Sequence, residues 1–238
     1  MLEKTEAFVL HSFRYGESKV IVDMFTRLHG RLSFAIALPK TSKGKLKKQY
    51  FQPLTLLNIE CDVRPQSQLQ KLRDAAILTP LSSLQTEPSK LAISLFLAEF
   101  LYHALKGEQR NEALFDYVAS SIQWLDSRES QFANFHLVFL MRLSRFLGFY
   151  PNIEEGDSYF DLRAATFCSV PPLHRDFLMP QEASMLRLMM RMDFVNMHLF
   201  RMNRQQRNRC VEVAILFYRL HLPDFPDLRS LEVLHDLW

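Results

Sequence analysis

Lys40, Lys43, Lys45, Lys47 and Lys48 fall within nine residues of this chain. An ammonium is a compact charge on a mobile stem, suited to contacting phosphates without reading a base sequence. A cluster this dense is either a phosphate-contacting loop or a solvated basic loop. Arg14, Arg27 and Arg31 stand at the ends of predicted strands and would extend a phosphate-contacting surface. Tyr50 and Phe51 follow the lysines. Such rings can stack on bases, and Phe51 can equally close the end of a barrel.

Little else in the chain has the spacing for chemistry. Glu154, Glu155, Asp157 and Asp161 form an acidic group. Magnesium sites usually recruit carboxylates from separated segments, so the group reads as a solvated loop. The histidines are scattered, and none forms HExxH or sits beside a cysteine. Six glycines are spread over the chain without a phosphate-cradling run. Glu99 and His103 share one helix face and read as a buried hydrogen-bonded pair rather than as an acid and a base. Three cysteines are too few and too far apart for a disulfide framework, and no CxxC pair supplies zinc ligands. Cys61 and Cys210 read as core fillers, while Cys168 has no evident role. No catalytic residue, metal or cofactor is expected.

Arginines dominate the later chain. Arg142 and Arg145 lie one turn apart among Phe139, Leu143 and Phe146, and Arg201, Arg204, Arg207 and Arg209 gather near the start of a later helix. A guanidinium beside an apolar groove suits an acidic peptide. The same residues can also lay their stems over a packed helical core.

The net charge of +3 conceals an asymmetry. Residues 1–80 carry 13 Lys and Arg against 7 Asp and Glu, whereas residues 81–238 carry 16 against 19. The first part holds 8 lysines and 5 arginines, the second 2 and 14. The basic excess therefore belongs to the N-terminal third. The N-terminus has no apolar leader pattern. Leu91–Leu105 is too short and too polar to span a bilayer. A cytoplasmic, reducing location is expected.

The elements that would position these residues change period near residue 80. Period-two patterns predict strands at about 5–14, 19–27, 31–38, 57–63 and 68–78. Pro39 and Pro53 bracket the lysine segment and place it in a loop or short helix. Five short strands suit a small closed barrel of the OB type. A joint at Leu81–Glu87 leads into helical patterns at about 89–106, 111–125, 132–147, 181–192, 203–221 and 230–237, with 152–180 irregular. The expected architecture is α+β: an OB-fold nucleic-acid-binding domain at 1–80 and an all-α domain at 81–238.

Ala7-Phe-Val-Leu-His-Ser, Gly16-Glu17-Ser18, Phe25-Thr26, Gly30-Arg31 and Phe51-Gln52-Pro53-Leu54 together resemble the start of the bacterial RecO family. Leu147-Gly148-Phe149-Tyr150-Pro151 and Arg229-Ser230-Leu231-Glu232-Val233-Leu234 resemble its later segments. The resemblance covers nearly the whole chain. It implies a non-enzymatic DNA repair and recombination mediator. Such a protein binds single- and double-stranded DNA and anneals complementary strands. With RecR it helps load RecA onto DNA coated by single-stranded-DNA-binding protein (SSB). It also binds the acidic C-terminal tail of SSB, for which Arg142 and Arg145 are the candidates here. Many relatives carry four zinc-binding cysteines after the Gly-aromatic-x-Pro segment. This chain keeps only Cys168, so no zinc is expected. The competing expectations are a protein-interaction scaffold whose basic loop is merely solvated and, further off, a magnesium-dependent nuclease using Asp157 or Asp161.

Overall fold

Apolar residues on alternate positions bury one face of a strand, and a sheet that closes on itself buries that face without a second layer. The computed structural model describes residues 2–16, 19–37, 46–64, 66–152 and 158–237. Its first five strands are β1 (Leu2–Tyr15), β2 (Lys19–Thr26), β3 (Gly30–Ala37), β4 (Leu56–Asp62) and β5 (Leu69–Ile77). They close into a barrel in the order β1-β2-β3-β5-β4, antiparallel except for the short β3–β5 contact. Ala7, Val9, Val22, Met24, Phe34, Leu57, Ile59 and Cys61 fill the interior. This is the expected five-stranded barrel, with β1 longer than its predicted span.

Two bulges curl the sheet. Val9 pairs with Met24 and His11 with Asp23, so Leu10 is the extra residue; Arg73 is extra between the pairs Glu60–Asp74 and Cys61–Leu72. An unpaired residue bends its strand and increases the local twist. Ala7–Leu10 is buried without a break. Ala7 and Val9 face the barrel core, whereas Phe8 turns outward to stack on Phe25 (5.4 Å) and touch Phe115 (5.5 Å).

The joint expected at Leu81–Glu87 contains a helix, α1 (Ser82–Thr86), followed by α2 (Pro88–Ala104) and α3 (Glu112–Ser127). Its period could not be read over five residues; tertiary hydrogen bonds hold it. Asp126 accepts from the Leu84 amide (3.0 Å) and the Ser83 hydroxyl (2.9 Å). Lys90, almost wholly buried, donates to the Ser83 hydroxyl (2.8 Å) and the Asp126 carbonyl (3.0 Å). Next come α4 (Phe135–Phe146), the strands β6 (Tyr159–Asp161), β7 (Thr166–Cys168) and β8 (Phe177–Leu178), and the helices α5 (Pro180–Arg191), α6 (Arg204–His221) and α7 (Ser230–His235).

The chain forms two compact units, Met1–Ser127 with Leu228–Leu237, and Arg128–Asp227. In the first, Glu99 on α2 accepts the amides of Arg229 (3.0 Å) and Ser230 (2.8 Å) and the Ser230 hydroxyl, capping α7. Glu99, expected to face His103 on its own helix, thus also caps a helix some 130 residues away. In the second unit, α4 is buried from Phe135 through Met141, and Tyr218 on α6 donates to its Leu140 carbonyl (2.7 Å). Gly148 (φ +85°) ends α4, with the Phe149 amide reaching back to the Ser144 carbonyl (3.1 Å). That is the bond pattern of a Schellman close. The segment read as irregular holds the three-stranded sheet β7-β6-β8. Phe160 and Phe167 meet at 4.8 Å beneath it, and Asp161 closes its turn by accepting the Arg163 and Ala164 amides.

Candidate nucleic-acid interface

A 3-10 turn (Lys48–Phe51) hangs from β1. Ser12 donates its hydroxyl to the Phe51 carbonyl (3.0 Å), the Leu54 amide donates to Val9 (2.8 Å), and the Val9 amide donates to Thr55 (3.0 Å). Phe51 drives its ring into the barrel core and is 3 % exposed. Of the two roles open to Phe51, it therefore fills the barrel-closing one. Tyr50 is half-buried against the same core.

This turn carries Lys47 and Lys48 exposed beside the end of β1. A groove of about 210 Å³ lies there, with Phe13, Arg14, Lys48 and Gln52 among its lining residues. Tyr15 pairs with Lys19 across the β1–β2 ribbon. Phe13 and Tyr15 are 43 % and 60 % exposed. By alternation they share a face with His11, whose ring lies 5.7 Å from that of Phe13. Cations beside exposed rings can neutralise phosphates and stack bases together. Phe13, Tyr15 and Lys19 escaped the sequence reading. The available signal was apolar alternation in β1 continuing into residues that nothing buries.

The other predicted barrel residues divide. Lys40, Lys43 and Lys45 lie outside the described residues. Arg27 and Arg31 stand at the far end of β1–β2, roughly 20 Å along the strands from Arg14, and are engaged within their own unit. Arg27 bonds Glu6 (2.8 Å) and Asp116 (2.5 Å) and lies over Phe115 (4.8 Å). Arg31 donates to the Tyr102 carbonyl (2.6 Å) and lies over its ring (4.4 Å). Only Arg14, Lys47 and Lys48 of the predicted set share one surface among the described residues.

In the second unit, Arg142 is half-exposed and Arg145 exposed on α4, the latter with its guanidinium 4.1 Å over Tyr150. The later arginines are partly consumed by structure. Arg207 is buried, donating to Asn134 (3.1 Å) and the Met202 carbonyl (2.9 Å), and burial lowers its pKa. Arg209 bridges Glu212 and Glu182, whose hydrogen bonds raise its pKa. Arg201 and Arg204 are exposed.

Among the described residues nothing else converges on chemistry. Burial pushes the thiols of Cys61 and Cys210 up to about 11, away from the thiolate that metals and electrophiles require. Glu154, Glu155 and Asp157 lie outside the described residues, and Asp161 is engaged in its turn. Among the described residues no group of three or more His, Cys, Asp or Glu is placed to hold a metal ion. Nor is any helix there long and apolar enough to cross a membrane.

Comparison with known proteins agrees with the barrel-and-helices order. Residues 1–81 match the family described as Recombination protein O N terminal, and residues 85–232 match Recombination protein O C terminal. A protein of Bacteroides fragilis named DNA repair protein RecO is 50 % identical over 242 residues, and one of Phocaeicola vulgatus with the same name is 49 % identical over 240. Both alignments cover 100 % of each chain. A namesake from Flavobacterium psychrophilum is 32 % identical, covering 99 % of this chain and 98 % of its own. With an OB barrel followed by helices, matched end to end by these relatives, the chain belongs to the RecO family.

Proposed function

We propose that this protein is a DNA repair and recombination mediator. In this reading it binds single- and double-stranded DNA on the barrel end built from Arg14, Lys19, Lys47 and Lys48. The lysines at 40, 43 and 45 would add to the positive charge of the segment that precedes Lys47. The carrying observation is the groove that Arg14 and Lys48 line together at the end of β1, next to the exposed residues Phe13 and Tyr15. Phosphates would be held by the cations and bases by Phe13 and Tyr15, without a sequence code. The relatives' names, DNA repair protein RecO, support the same role.

Strand annealing follows from such a surface, because two strands with neutralised backbones can approach each other. With RecR, the protein would help load RecA onto SSB-coated DNA in the cytoplasm. Arg142 and Arg145 on α4 would hold the acidic tail of SSB. No step calls for a catalytic residue, a metal or a cofactor.

The test is strand annealing by the full chain, with and without cognate SSB. Alongside it, Lys43, Lys45, Lys47 and Lys48 are reversed together to Glu. Annealing should be lost and the salt dependence of DNA retention should flatten while the fold survives. Unchanged affinity and slope would remove these lysines from the mechanism. Failure of the unaltered chain to retain DNA at roughly physiological ionic strength would favour a protein-interaction scaffold. Arg142→Glu should separately weaken binding of an SSB tail peptide while DNA retention persists.

A further inference from the structure

His11 lies exposed on β1, just past the Leu10 bulge. Its ring is 5.7 Å from that of Phe13 and 4.9 Å from that of Tyr102 on α2. Tyr102 in turn meets His103 at 4.9 Å. Four rings thus run without a gap from the end of β1 to the end of α2. Phe13 and His11 are exposed, Tyr102 and His103 half-buried. A row of rings with exposed members is a platform on which unpaired bases stack, and histidine serves as well as a purely aromatic side chain.

The row is held in place by β3. The Arg31 amide donates to the Glu108 carbonyl (3.1 Å), and its guanidinium donates to the Tyr102 carbonyl (2.6 Å) while lying 4.4 Å over the Tyr102 ring. One residue therefore pins the end of α2 to the barrel at two points. Rings from distant parts of the chain keep one arrangement, which lowers the ordering cost of binding.

Charge selects the occupant. Lys106 is exposed just after α2, and Arg31 lies beside Tyr102. Among the described residues the partners of the Arg31 guanidinium are a carbonyl and a ring, and neither cancels its charge. Burial lowers the His103 pKa, so that side chain contributes a ring rather than a charge. Two carboxylates lie close by, and both are engaged. Asp23, paired with His11 across β1–β2, is buried and accepts the Ser33 hydroxyl. Glu99, one turn before His103, caps α7. An acidic peptide would use the cations and leave the rings idle, whereas a single strand of DNA uses both. Resting on the DNA-binding reading above, we propose that a strand held at Arg14 and Lys48 continues along β1, stacks a base on His11 and reaches Lys106 and Arg31 with its phosphates.

The test measures binding of fluorescent oligothymidylates of about four and about twelve nucleotides to the full chain, a short and a long member of the range that one barrel covers. His11→Ala should weaken the longer strand about fivefold or more, the worth of one stacked base. Lys106→Glu should also weaken it, and His11→Phe, which keeps a ring, should not. The shorter strand, held at the barrel end, should ignore all three variants. All three should fold, because both positions are exposed. Longer-strand affinity indifferent to His11→Ala and Lys106→Glu overturns this path, and the barrel-end reading stands if Lys48→Glu still weakens both lengths. Equal weakening of both lengths reports a general change of surface field and also overturns it. Failure of the unaltered chain to bind either length removes the DNA reading and this path with it. Poly-glutamate bound as tightly as the longer strand, and weakened by Lys106→Glu but not by His11→Ala, overturns it in favour of an acidic protein partner.

Discussion

Residues of one type do different work on this barrel, and neighbours decide which. Arg14, Lys47 and Lys48 lie exposed on one surface, whereas Arg27 is held between Glu6 and Asp116. Replacing Arg14, Lys47 and Lys48 with alanine should reduce the slope of log affinity against log salt by about 2 on single strands, at about 0.7 per lost phosphate contact. Their effect on thermal stability should be small. Arg27→Ala should do the reverse, costing about 1 kcal/mol in urea unfolding because the part-buried Glu6 carboxylate and the exposed Asp116 lose their partner. Glu99 supplies a pH test. Its burial works to raise its pKa, but the Ser230 hydroxyl, the Ser230 and Arg229 amides and the charge of His103 outweigh it. The folded value therefore lies below the ordinary 4.5. Its stabilisation is present above pH 4.5 and is lost as pH falls through the folded value. Melts of Glu99→Gln should accordingly show a flatter acid limb than the unaltered protein.

At the scale of elements, the turn between β2 and β3 is the most constrained. Gly30 has φ +69°, and an added Cβ would lie 2.4 Å from the Gln109 carbonyl carbon. Gly30→Ala meets both a left-handed backbone and fixed backbone atoms, so a loss of more than about 2 kcal/mol is expected in equilibrium unfolding. Gly16 has the same φ in open space, and its alanine variant should lose only about 1 kcal/mol. The sheet of β6–β8 is held by Phe160, Phe167 and the Asp161 turn. Elemental analysis of purified protein should find no stoichiometric zinc; finding it would reverse that reading.

Over the whole molecule, the C-terminal helix α7 is a part of the unit that contains the barrel. Leu234 on α7 is buried, so Leu234→Ala should cost about 2–4 kcal/mol. Hydrogen exchange should show the lost protection in α2, with α4 and α6 unaffected. The strands, the long helices and the basic N-terminal third were legible in the sequence because each is local: a period of two, a period of 3.6, a run of charge. Three features were not. α1 is too short to show a period and is held by Asp126 and Lys90 from distant positions. The β6–β8 sheet is built from two- and three-residue strands whose partners lie across turns. Glu99 caps α7, whose amides come to it from some 130 residues along the chain, beyond the reach of any helical spacing. By itself the sequence determined the barrel, the order of the helices and the end of the chain that carries the lysines. Tertiary structure alone decided which cations remain at the surface. A guanidinium's availability depends on the carboxylates and rings that folding brings to it from far along the chain.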